Sequence, residues 1–114
     1  MTIKDVKDIL DAQVLCCEDD LDNEVHTACG SDMMSDVLAF VKDQSVLLTG
    51  LMNPQVVRTA EMMDMVCIVF VRGKSPTEEI VRLAEAHDIV LMKTPHRMFT
   101  ACGLLYSKGL HGGD

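Results

Sequence analysis

Three prolines punctuate the chain, and each stands after a residue that caps helices: Asn53-Pro54, Ser75-Pro76 and Thr94-Pro95. Proline suits the first position of a helix, where its missing N–H is unsatisfied anyway and its fixed φ is already helical. An apolar, strand-like run precedes each pair: Val46 to Thr49, Val66 to Val71 and Ile89 to Met92. Residues 46–110 therefore read as strand followed by helix, three times over. Such a unit builds a parallel sheet, and its helix N-termini open together on the carboxyl edge of the strands.

The predicted helices follow from these starts. One over 54–64 buries Val56, Val57, Ala60 and Met63. One over 76–87 buries Ile80, Val81, Leu83 and Ala84, with Ser75 and Glu78 spaced as a capping box. The third, over 95–108, has almost no polar face from Met98 to Tyr106, the pattern of a helix covered on both sides. Upstream, the spacing of Ile3, Val6, Ile9 and Leu10 predicts an amphipathic helix capped by Thr2. Short strands over 13–17 and 25–29 flank a polar turn, Glu18 to Glu24, and a helix over 33–41 precedes a break at Lys42-Asp43-Gln44. Gly109 is placed to end the last helix, with the tail fraying after it. The expected architecture is a three-layer α/β domain with a mainly parallel sheet, formed by one domain over 1–114: helix and short strands in 1–45, the βαβαβα unit in 46–110.

Charge and composition narrow the function. The net charge is −8, all of it in residues 1–45, where eleven acids meet three bases; residues 46–114 hold seven of each sign. Without a basic arm, and with Phe40, Phe70, Phe99 and Tyr106 as the whole aromatic complement, nucleic acid and anionic membranes are poor partners. The N-terminus has acids where a signal peptide needs an apolar stretch, and the run from Met65 to Val71 is too short to span a bilayer. Five irregularly spaced cysteines fit reduced thiols and a cytoplasmic location.

The loops at the carboxyl edge hold the candidate ligand site. Gly50, Asn53, Arg72, Gly73, Lys74, Ser75, Lys93, Thr94, His96 and Arg97 gather there, five of them potentially cationic in an otherwise acidic chain. Orphan N–H groups and the positive ends of helix dipoles favour an anion at such an edge. Ordinary polar turns give the same residues, and neither a Walker motif nor G-x-G-x-x-G is present. Cys16, Cys17, His26 and Cys29 are zinc-ligand types, but adjacent residues of a strand face opposite ways, and His26-x-x-Cys29 is half a site, so no metal or cofactor is expected. No cysteine or histidine stands in a nucleophile signature, and no enzymatic activity is expected. Met33, Met34 and Met62 exceed the needs of one apolar stripe and are the type of side chain that adapts to partners.

Ser31 to Phe40, Leu47 to Glu61, Ile68 to Lys74 and Met98 to Tyr106 together resemble the DRTGG domain family in its short stand-alone form. The string that names the family does not occur here, so no residue role is carried over from it. The resemblance implies a non-catalytic module: related domains accompany phosphate acetyltransferase, stand beside CBS domains in regulated pyrophosphatases, and resemble the N-terminal domain of HPr kinase. This chain has neither a kinase P-loop nor a CBS pair, so regulation would act in trans on a partner protein. The alternative is a sensor that binds a nucleotide or other phosphorylated metabolite on the βα edge. The apolar last helix predicts a homodimer with Met98, Phe99, Cys102, Leu105 and Tyr106 at its interface; the competing arrangement folds the N-terminal helix and strands over that face.

Overall fold

The computed structural model describes residues 1–41 and 43–114; Lys42, part of the predicted break, lies outside the described residues. The described residues form helices α1 (Ile3–Leu10), α2 (Met34–Phe40), α3 (Gln55–Met62), α4 (Glu78–Ala86) and α5 (Met98–Ser107), and strands β1 (Gln13–Cys16), β2 (Thr27–Gly30), β3 (Ser45–Thr49), β4 (Cys67–Phe70) and β5 (Val90–Lys93). The sheet order is β1-β5-β4-β3-β2. β2 through β5 run parallel in sequence order, while β1 joins the far edge antiparallel to β5. The short N-terminal strands thus extend both edges of the sheet.

Both faces of the sheet are covered, which is why β3 and β4 are buried at every position. On one face Val37 of α2, Val56, Val57 and Ala60 of α3, and Ile80 and Ala84 of α4 pack on Leu47, Ile68, Phe70 and Leu91. On the other, Ile3, Val6 and Leu10 of α1 join Ala101 and Leu105 of α5 over Val46, Leu48, Val69 and Met92. The arrangement of α1 beside α5 is the one weighed in the sequence as competing with a wholly intersubunit cover. Leu105 is buried within this chain, so it is core and not an interface residue.

Several predicted boundaries shift. Thr2 caps α1 with a full capping box, its hydroxyl accepting from Asp5 N and the Asp5 carboxylate accepting from Thr2 N. Asn53 accepts from Gln55 N at 2.8 Å in the turn that leads into α3, but the cap position falls on Pro54, one residue later than expected, with no side-chain cap bond. Likewise α4 begins two residues later than Pro76 allows for, with Thr77 as its cap accepting from Ile80 N. The capping box from Ser75 is therefore absent, and the Ser75 hydroxyl accepts a hydrogen bond from Lys93 Nζ at 2.9 Å. α5 begins at Met98 and not at Pro95: the Thr94 hydroxyl that was to cap it donates to Leu10 O at 2.6 Å. The tail does not fray at Gly109. That glycine, at φ +101°, closes α5 with the paired bonds Gly109 N to Tyr106 O and Leu110 N to Leu105 O. Leu110 then enters the core, and His111 O accepts from Ala28 N on the outer side of β2.

Candidate functional site

The topology concentrates attention on one stretch of the carboxyl edge. Helices α2, α3 and α4 share one face, whereas α5 leaves β5 for the other. The chain after β4 and the chain after β5 therefore turn apart, and ligands of open α/β sheets bind where neighbouring connections diverge in this way. Arg72-Gly73-Lys74-Ser75 and Lys93-Thr94-Pro95-His96 are the two diverging segments.

The first segment is a tight turn in which Arg72 and Gly73 both hold positive φ, 64° and 67°, closed by Lys74 N to Val71 O at 3.4 Å. Two positive φ values in succession define a type I′ turn, easy for glycine and unfavourable for arginine. The turn is held by the second segment: Arg72 N donates to His96 O at 2.7 Å and Gly73 N to Thr94 O at 2.8 Å.

This geometry swings two cations back over the end of β3. Lys74 Nζ donates to Gly50 O at 3.0 Å. The Arg72 guanidinium covers Gly50 so closely that a Cβ there would lie 2.5 Å from Nη2 and would push that flexible side-chain end aside. Lys93 Nζ, bound to Ser75 Oγ, borders a small cleft of about 180 Å³ shared with Asp11, Gln13, Gly73, Thr94 and Pro95. Among the described residues the ion pairs join the N-terminal amine to Glu24, Lys7 to Asp8, His26 to Asp43 and Arg82 to Glu78. None of those pairs includes Arg72, Lys74 or Lys93, whose contacts here are with neutral oxygens or with Gly50. Among the described residues these three positive charges share one edge without a carboxylate in salt-bridge contact; the nearby acids are Asp11, which borders the Lys93 cleft, and Asp32, which accepts from Gly50 N.

The structure separates the remaining residues from this cluster. Asn53 is committed to the start of α3 and His96 N donates to Thr94 Oγ1. Arg97 stands exposed at the start of α5 and contributes no cap. The N-terminus of α4 carries its own acids, Glu78 and Glu79, with Arg82 bonded to Glu78, so its dipole is already matched. Asp32 is the residue that sequence reasoning missed. Its Oδ1 accepts from Thr49 Oγ1 at 3.0 Å and from Gly50 N at 2.7 Å, tying the loop after β2 to the end of β3. Only its place after a strand and before a helix, as in the other three loops, could have drawn notice.

The cysteines and the predicted interface residues lie elsewhere. β1 ends at Cys16, and Cys17 follows in the left-handed conformation at φ +60°, so the two do not alternate along one strand. Burial pushes the Cys17 thiol up to about 12, and the same cause raises Cys16, Cys29, Cys67 and Cys102. His26 meets Asp43 at 3.3 Å. On α5, Met98 and Cys102 lean on Gly30 of β2, while Phe99 and Tyr106 are exposed.

Among solved structures, the fold is similar to the CBS and DRTGG domains of the regulatory region of Clostridium perfringens pyrophosphatase, complexed with the activator diadenosine tetraphosphate. The TM-score is 0.74 at 20% sequence identity, covering 91% of this chain and 45% of that one. This chain thus spans less than half the length of the neighbour it matches. No curated protein matches it. Among the described residues no helix is long and apolar enough to cross a membrane. The family model of the DRTGG domain matches residues 5–107, nearly the whole of the fold just described, and the chain belongs to the DRTGG domain family.

Proposed function

We propose that this chain is a regulatory module without catalysis of its own, which acts in trans on a partner protein and assembles as a homodimer. Its input is a phosphorylated small molecule bound at the diverging loops of the carboxyl edge. The observation that carries the sensing role is the convergence of Arg72, Lys74 and Lys93 on the ends of β3, β4 and β5 without a carboxylate partner among the described residues. A phosphate can replace Gly50 O and Ser75 Oγ as acceptor for the two lysines, setting a full negative charge against each ammonium where both acceptors are now neutral. The pyrophosphatase neighbour, crystallised with a polyphosphate-bridged dinucleotide activator, supports the choice of ligand class.

A thermal-shift screen with nucleotides, diadenosine tetraphosphate, acyl phosphates and pyrophosphate tests this reading. A ligand that prefers the native state at 100 times its Kd stabilises by about 2.7 kcal/mol, a shift of several degrees. The shift should disappear in the Lys74→Ala/Lys93→Ala double variant. If none of these compounds moves the melting temperature, the sensing role is wrong.

A further inference from the structure

Four of the six large apolar side chains that are exposed among the described residues border a single edge of the sheet. Met33 (61% exposed) and Phe40 (69%) come from the α2 side of β2, and Phe99 (90%) and Tyr106 (63%) from the α5 side. Helical geometry explains their place. At 100° per residue, Phe99 and Tyr106 follow Met98 and Cys102 around α5, on the side away from α1. Met98 and Cys102 are the residues packed on Gly30 of β2. On α2, Val37 faces the core and Phe40 turns toward Ala28 and Cys29, sharing a cleft with them.

The outer side of β2 is already blunted. The C-terminal tail lies along it, Ala28 N donating to His111 O, and the His111 ring stacks on Tyr106 with centroids 4.2 Å apart. On either side of the tail lies a cleft: one of about 300 Å³ bordered by Phe40 and Val41, and one of about 180 Å³ bordered by Cys102, Tyr106 and Leu110. Protruding rings and apolar clefts therefore occur on the same surface.

From this surface we infer that a second copy of this chain docks across the β2 edge, related by a two-fold axis, with Phe40 and Phe99 as the side chains that enter the other copy's clefts. The inference rests on the homodimer proposed above and supplies its location. An isologous interface must carry both knob and hole on one patch, and this edge does. The area fits as well. A large aromatic side chain can bury roughly 150–250 Å², so the four exposed side chains offer on the order of 500 Å² of apolar surface. That is in the upper part of the roughly 300–600 Å² range of the largest apolar patch on a typical soluble monomer, a patch that is often functional, and forms most of the approximately 800 Å² per partner of a standard interface. The tail blocks direct strand pairing at Ala28, so side-chain packing rather than a continuous sheet joins the copies.

Sedimentation equilibrium at micromolar concentration tests the inference on the full chain, wild type against Phe40→Asp and Phe99→Asp. Both residues are exposed, so neither change disturbs the core, and circular dichroism checks that the fold is kept. The wild type should sediment at twice 12.6 kDa and each variant at 12.6 kDa. Met62→Asp, equally exposed but on α3, should remain a dimer. A monomeric wild type overturns the homodimer itself and leaves this edge to a different protein. A dimer that survives both aspartates overturns the location alone.

Discussion

Replacing Thr94 by valine should destabilise the domain by about 2 kcal/mol while leaving its shape unchanged. Thr94 is fully buried, and its hydroxyl donates to Leu10 O, one of the carbonyls that the end of α1 leaves without a helical partner. Valine keeps the volume and removes the donor. The buried carbonyl then loses its only bond from this hydroxyl, at a cost of about 1–3 kcal/mol. The other contact, from His96 N at 3.3 Å, adds little, since His96 is half-exposed and water can replace it. Thr94→Ser provides the control, because it keeps the hydroxyl and removes one methyl group, worth about 0.8 kcal/mol. Urea titrations monitored by circular dichroism should rank wild type above Thr94→Ser and Thr94→Ser above Thr94→Val. At roughly 3–5 °C per kcal/mol for a chain of this size, the valine variant should melt about 6–10 °C lower. A valine variant as stable as the serine one would refute the claim that this hydroxyl ties α1 to the carboxyl edge.

Two other outcomes follow from the same structure. Gly50→Ala places a methyl group where the Arg72 guanidinium lies, and only the free end of that side chain has to move. Stability by urea titration should therefore change by less than about 1 kcal/mol, while any stabilisation of the protein by pyrophosphate is lost. For the thiols, burial raises Cys17 to about 12 and raises the other four above the ordinary value of about 8.5. Below about pH 7.5 both folded and unfolded chains hold these protons; above it the unfolded chain releases them first. Stability should thus be nearly flat from pH 7 to about 7.5, begin to fall as pH approaches 8.5 and keep falling toward 12, with the urea midpoint as readout. Rapid alkylation of the native protein by iodoacetamide at pH 8 would contradict that protection.

The strand and helix order was legible because Pro54, Pro76 and Pro95 each follow an apolar run, and such punctuation is local. What fixed the helix starts was not local. Ser75 and Thr77 are both cap types; Thr77 caps α4, while the Ser75 hydroxyl meets Lys93, eighteen residues on in the chain. Thr94 was lost to Leu10, which lies 84 residues away in sequence. α5 is apolar all round, so its pattern could not say which side faces inward; packing on α1 and β3 buries Leu105 and leaves Phe99 in solvent. At the site, the sequence supplied the cations but not their grouping. The positive φ of Arg72, set by the bonds to His96 and Thr94, is what turns Arg72 and Lys74 onto Gly50 and leaves Arg97 outside the cluster.

Titration calorimetry with pyrophosphate and with diadenosine tetraphosphate tests the central claim most directly, comparing wild type with Lys74→Ala/Lys93→Ala. The account predicts saturable binding of at least one of the two by the wild type, weakened at least tenfold in the double variant and by rising salt. Binding of equal affinity to both proteins, or no heat from either ligand at millimolar concentration, would contradict it.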